Sequence, residues 1–189
     1  MSVPKYRVAN VKVHVKLNKK LDLCDKLLRS ARQYSNFCVL KLDTFSVTVF
    51  PSRGFLNISG IKGFNQIPLA VRTCNKYFYL SITPASVIVD NSTAFGSLSC
   101  KLNLFALAKF HNEAQDSFRI KIRQEHFPAA IVQPVTNHDS LMKTTLLFSN
   151  GKFTILGCKN HNEISYNFNL IKTLTDHHVT KSKNSSHVQ

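Results

Sequence analysis

Lysines recur at matched places along this chain, and cations held at fixed positions are chemistry for binding anions. Residues 50–62, FPSRGFLNISGIK, and residues 148–159, FSNGKFTILGCK, each open with Phe and a polar turn carrying Gly. Each then runs through apolar or alternating residues and closes on Gly, one residue and Lys. Lys62 and Lys159 thus end two copies of one motif, while Arg53 and Lys152 lie near the start of each copy. Asn10 and Asn91 head two strand-like stretches. Their separation equals that between the Leu-x-Leu pairs Leu21/Leu23 and Leu102/Leu104. One long unit is written twice, which is the first thing to settle in a sequence.

Charge says what such cations would meet. The 189 residues carry 25 Lys and Arg against 10 acids, a net +15. The excess is uneven: 14 basic against 3 acidic residues in 1–89, and 11 against 7 in 90–189. A balance this basic points to a polyanion, nucleic acid first, because each neutralised phosphate releases counterions. An anionic membrane or an acidic protein stays open at this point. Enzymatic chemistry finds little material. The acids are few, no P-loop, GxSxG or HExxH string occurs, and His177–His178 lack ligand spacing to any Cys. No cofactor, metal or small-molecule substrate is expected, and the chain is read as a non-enzyme. The five Cys are scattered without a CxxC pair, as reduced thiols filling a core would be. No apolar run approaches the ~20 residues of a membrane helix, and the N-terminus has no apolar signal core, which argues against secretion.

The elements that must position these residues follow from periodicity. NVKVHVKL alternates at Val11, Val13 and Val15, and NSTAFGSLSCKL alternates less clearly. Each Leu-x-Leu opens a short helical pattern: Leu23, Leu27, Leu28, Ala31 and Tyr34, then Leu104, Leu107, Ala108 and Phe110. Strand runs come next, FCVLKL, FSVTVF and FLNISGIK, then FPAAIVQPV, TTLLF and KFTILGCK. Each half ends in a longer helix. The first presents Ile67, Val71, Cys74 and Phe78 and starts near Gln66, because Pro68 fits only a first turn. The second presents Ile164, Phe168, Ile171 and Leu174, with Asn160 and Glu163 as a capping box. The expected division is 1–84, 85–175 and a disordered polar tail, 176–189.

A duplicated F-x-SGK-hhh-TG-x-K before a long helix resembles the TATA-binding protein family. NVKVHVKLNKKLDL is similar to that family's NIV-x-x-V-x-L-x-x-x-LDL, HFPAAIV to LFPGLIY, and LLFSNGKFTILGCK to LIFVSGKIVLTGAK. The resemblance runs over roughly residues 6–175. It implies an α+β fold, a pseudo-twofold duplicated saddle with a curved antiparallel sheet and helices on its convex face. It implies a nuclear initiation factor that binds and bends A·T-rich DNA through the minor groove and recruits transcription initiation factors or RNA polymerase subunits. A minor groove shows acceptors at A·T pairs, so short donors and an apolar floor suit it. By the resemblance Asn10 and Asn91 donate to base edges, and Phe37, Phe50, Phe127 and Phe148 wedge between base steps from an exposed position. Lys62, Lys152 and Lys159 meet phosphates, with Arg53 a looser counterpart, and Ser59 keeps a hydroxyl contact. The floor is expected from Val11, Val13 and Val15, from Val39, and from Ala129 and Ile131.

The departures bear on function. Leu156 stands where the family has Thr before its second Gly, although Ser59 keeps a hydroxyl in the first half. Lys41 stands for one family Arg, but the second half offers Gln133. The connection around VTNHDSLMK is longer than the family's, and RIKIRQEH is basic where the family has an acidic stirrup for a general initiation factor. The competing expectation is a fold of this kind that no longer bends DNA and serves as a protein-interaction adaptor in a transcription complex.

Overall fold

Alternating strands and two longer helices emerge where the periodicities put them. The computed structural model describes residues 6–17, 20–21, 31–98, 100–114, 117–123, 125, 127–135 and 141–176. The first repeat contains β1 (Tyr6–Lys16), β2 (Arg32–Gln33), β3 (Cys38–Lys41), β4 (Ser46–Phe50), β5 (Phe55–Ile61) and helix α1 (Ile67–Phe78). The second contains β6 (Val87–Ser97), α2 (Leu104–Glu113), β7 (Phe118–Arg123), β8 (Phe127–Pro134), β9 (Thr144–Phe148), β10 (Lys152–Cys158) and α3 (His161–Thr175). The first short helix expected around residues 22–30 and the tail from 177 lie outside the described residues. The end of that expected helix is corrected, because Arg32–Gln33 is extended and pairs with β3.

Val8–Thr93 forms one compact unit, and Ala94–Gln189 together with Met1–Arg7 forms the other. In the first unit the strand order is β2-β3-β4-β5-β1-β6. Its core takes Val11, Val13 and Val15 from β1, Val47 and Val49 from β4, and Leu56 and Ile58 from β5. Ala70, Cys74 and Phe78 of α1 are buried with that core, and Ile67 and Val71 pack on its margin. Pro68 sits in the first turn of α1, after a 3₁₀ turn over Phe64–Gln66.

In the second unit the order is β6-β10-β9-β8-β7. Leu107, Ile120, Val132, Leu147, Phe153, Ile155, Ile164 and Ile171 are among its buried side chains. Phe110, the last member of the apolar set of α2, is 57% exposed. Asn160 caps α3 by accepting from Glu163 N–H at 2.9 Å. The Glu163 carboxylate reaches back to Lys159 N–H at 2.8 Å, one residue beyond the usual capping-box partner. Asn167, 1% exposed, accepts from Lys143 N–H at 2.8 Å and donates to the Leu141 carbonyl at 2.8 Å. That clasp fixes the chain as it enters β9.

Candidate nucleic-acid interface

Residues directly opposite one another in an antiparallel pair share a face of the sheet. In the first unit the chain of partners Val39, Thr48, Asn57, His14 crosses four strands on the face away from the core. Phe50, Phe55 and Lys16 lie on the same face, because Phe50 pairs with Phe55 and Phe55 with Lys16. In the second unit Ala129 pairs with Phe148, Ile131 with Leu146, and Leu146 with Thr154. These two open faces carry most of the residues expected to bind.

The β1 expectation is corrected. Val11, Val13 and Val15 have no exposure and pack into the core, with Val13 against Ile58 and Val15 against Leu56. Alternation shows that three valines share a face but not which face the core takes. The open side of β1 therefore presents Asn10, Lys12, His14 and Lys16. Lys12 forms an exposed ion pair with Asp90. Ala129 does lie on the open face, beside Phe148, but its neighbours cover it to 1% exposure. The four wedge phenylalanines are partly buried rather than fully exposed.

Asn10 is exposed, and its Oδ1 accepts from Gly60 N–H at 2.8 Å. A backbone N–H can only meet the amide oxygen, so the Asn10 amide is oriented and its Nδ2 end remains as a donor. Gly60 has φ 93°, a left-handed conformation that suits glycine, beside the register shift between Val11 and Val13. Gly157 repeats it at φ 91°.

The Phe turns are also repeated. Gly54 N–H donates to the Phe50 carbonyl at 3.0 Å, and Gly151 N–H to the Phe148 carbonyl at 2.9 Å. A side chain at Gly151 would meet the Cys100 carbonyl oxygen at 2.0 Å, so only glycine fits. Around these turns the units differ. Tyr34, Phe37, Phe50, Phe55 and His14 form a continuous ladder with ring centroids 4.5, 5.4, 4.3 and 4.9 Å apart. His14 Nδ1 lies 3.0 Å from Asn57 Oδ1. In the other unit Phe127 and Phe148 meet edge-on at 6.4 Å. Phe55 takes the place in the first motif that Lys152 takes in the second. A cavity beside Lys152 is lined by Tyr6, Arg7, Phe95, Gly96 and Ser97, with the Arg7 guanidinium 4.3 Å over the Phe95 ring.

Lys62, Lys152, Lys159 and Arg53 are exposed, and Lys62 and Lys159 each follow the strand that bears the left-handed Gly. Asn91 is exposed in β6. Ser59 pairs with Ser46, so the first unit has two hydroxyls at that point. Leu156 pairs with Thr144, which restores a hydroxyl across the strand where the motif lost one. Sequence reasoning missed Thr144, Phe55 and His14, because a cross-strand neighbour leaves no mark in linear spacing. Burial pushes the Cys74 thiol up to about 12. Burial, with the Glu163 carboxylate adding to it against Lys143, pushes Cys158 to about 11. Both are filler rather than nucleophiles.

Residues 86–175 match the family described as transcription factor TFIID, or TATA-binding protein. Among solved structures, the TATA-binding protein of Methanococcus jannaschii superposes with a TM-score of 0.73 at 19% identity. That likeness covers 92% of this chain and 99% of the archaeal one. No curated protein matches the sequence. Residues 86–175 thus match the TATA-binding protein family, and the duplicated strand order, with a left-handed Gly before each closing Lys, gives the chain a TATA-binding-protein-like fold.

Proposed function

We propose that the protein is a transcription initiation factor that binds A·T-rich promoter DNA through the minor groove, bends it and recruits polymerase machinery. The observation that carries this reading is exposed Asn10, whose amide oxygen is engaged by Gly60 N–H and whose Nδ2 is left as a donor. The minor groove of A·T pairs offers acceptors, while G·C adds the guanine amino donor. A fixed donor selects the former. The paired phenylalanines at each repeated turn supply apolar wedges, whose unstacking cost is offset by the contact that bent DNA gains. Lys62, Lys152, Lys159 and Arg53 supply charge for phosphates at the margins.

The test is selection from a random duplex pool, then sequencing, with a circular-permutation bend assay on the selected DNA. An A·T-rich consensus, competition by minor-groove ligands and a bend are expected. Equal affinity for duplexes containing only G·C pairs would refute the reading.

A further inference from the structure

The basic segment before Phe127 is part of an ordered strand. Arg119, Lys121 and Arg123 of β7 are exposed and alternate with Phe118, Ile120 and Ile122. Their partners in β8 are Gln133, Ile131 and Phe127. Ile131 in turn lies opposite Leu146, and Leu146 opposite Thr154. The three cations therefore fringe the same open face that carries Phe127 and Phe148. None of them forms an ion pair among the described residues.

Charges on an outer strand commonly serve to block edge-to-edge pairing. Here that edge is already closed at its middle. Asn112 of α2 accepts from Ile120 N–H at 3.0 Å and donates to the Ile120 carbonyl at 2.9 Å. The cations are thus not needed to keep another strand from pairing there. They are also of one sign, and successive ones stand about 7 Å apart along the strand. That is close to the interval between consecutive phosphates of one nucleic-acid strand.

We infer that Arg119, Lys121 and Arg123 form a phosphate-binding strip that grips the DNA backbone outside the Phe127–Phe148 wedge. The inference rests on the DNA-binding reading above. Arg119, across from Gln133, supplies the cation that the strand bearing Gln133 lacks. The strip makes the two units unequal, because the outermost strand of the first unit, β2, offers Arg32 alone.

The experiment measures duplex affinity of the full chain against salt, on A·T-rich and G·C-rich DNA. It uses Arg119→Gln, Lys121→Gln and Arg123→Gln together, and the charge-preserving set Arg119→Lys, Lys121→Arg and Arg123→Lys. The neutral set should flatten the log–log salt slope by about three units and weaken both duplexes by a similar factor. Its hydroxyl-radical footprint should shorten at one end. The charge-preserving set should keep the wild-type slope. A wild-type slope in the neutral set overturns the strip, as does a slope lost equally in both sets. Should the neutral set melt early, each single substitution carries the test, with a loss of about one unit expected. If the wild-type chain binds no duplex at all, the DNA-binding reading itself falls.

Discussion

Phe127→Ala combined with Phe148→Ala removes one ring pair from the open face of the second unit, and its cost can be worked out from where the rings lie. They meet edge-on with ring centroids 6.4 Å apart, and Phe148 lies opposite Ala129. Both are partly buried, but on the side of the sheet away from the core. Burying a Phe completely contributes about 1.5–3 kcal/mol, so partial burial without an enclosed cavity should make each truncation cost about 1–2 kcal/mol. For a chain of this size the pair then lowers Tm by roughly 4–16 °C. Phe153 is the internal control. It lies just past the same turn, faces the opposite way, is 1% exposed and packs against Phe168 at 5.5 Å. Phe153→Ala alone should cost about 3–5 kcal/mol. Melts of both variants, with a circular-permutation assay, give the comparison. The double mutant should lose DNA bending while staying folded at 25 °C. A double mutant that costs more than Phe153→Ala and still bends DNA would refute the placement of these rings as wedges.

Three further outcomes are expected. Asn10→Ala should reduce discrimination between A·T and G·C duplexes about tenfold, since one good base contact is worth about 1–3 kcal/mol, with little change in the salt slope. Asn167→Ala should lower stability by about 1–3 kcal/mol in denaturant melts, because Lys143 N–H and the Leu141 carbonyl lose their buried partner. Alkaline stability should be limited in part by Cys74. Its thiol keeps its proton in the folded state up to about 12, whereas its ordinary value is 9.0. Its contribution is therefore complete below pH 9.0 and is lost as pH rises towards 12. Cys74→Ala should flatten that alkaline slope in a pH series of melts.

The repeat was readable because it is a linear pattern. Matched Gly, Lys and Phe positions predicted the turns, and Pro68, Asn160 and Glu163 predicted where helices begin. What escaped were relations across strands. Period-two alternation puts Val11, Val13 and Val15 on one face but is symmetric between the two faces, and only the packing partners Leu56 and Ile58 settle which one. Leu156 and Gln133 are losses along the linear motif, whereas a hydroxyl and a cation stand opposite them on Thr144 and Arg119. Phe110 completes the apolar stripe of its helix in sequence, yet the buried residues of α2 are Leu104, Leu107 and Ala108.

The asparagine clasps bear on how the chain folds. Asn112 holds Ile120 by two hydrogen bonds across a separation of eight residues, and Asn75 holds Ile82 likewise across seven. Loops of about ten residues close in roughly 10–100 ns, long before distant strands find each other. The pairing of β1 with β5, by contrast, brings together residues such as His14 and Asn57, separated by 43 positions. Each repeat thus holds a fast local closure at a helix end, while its sheet waits on slow long-range encounters. An asparagine that fastens a helix to the adjoining strand or turn shortens the search by fixing the direction of that segment before it has a partner.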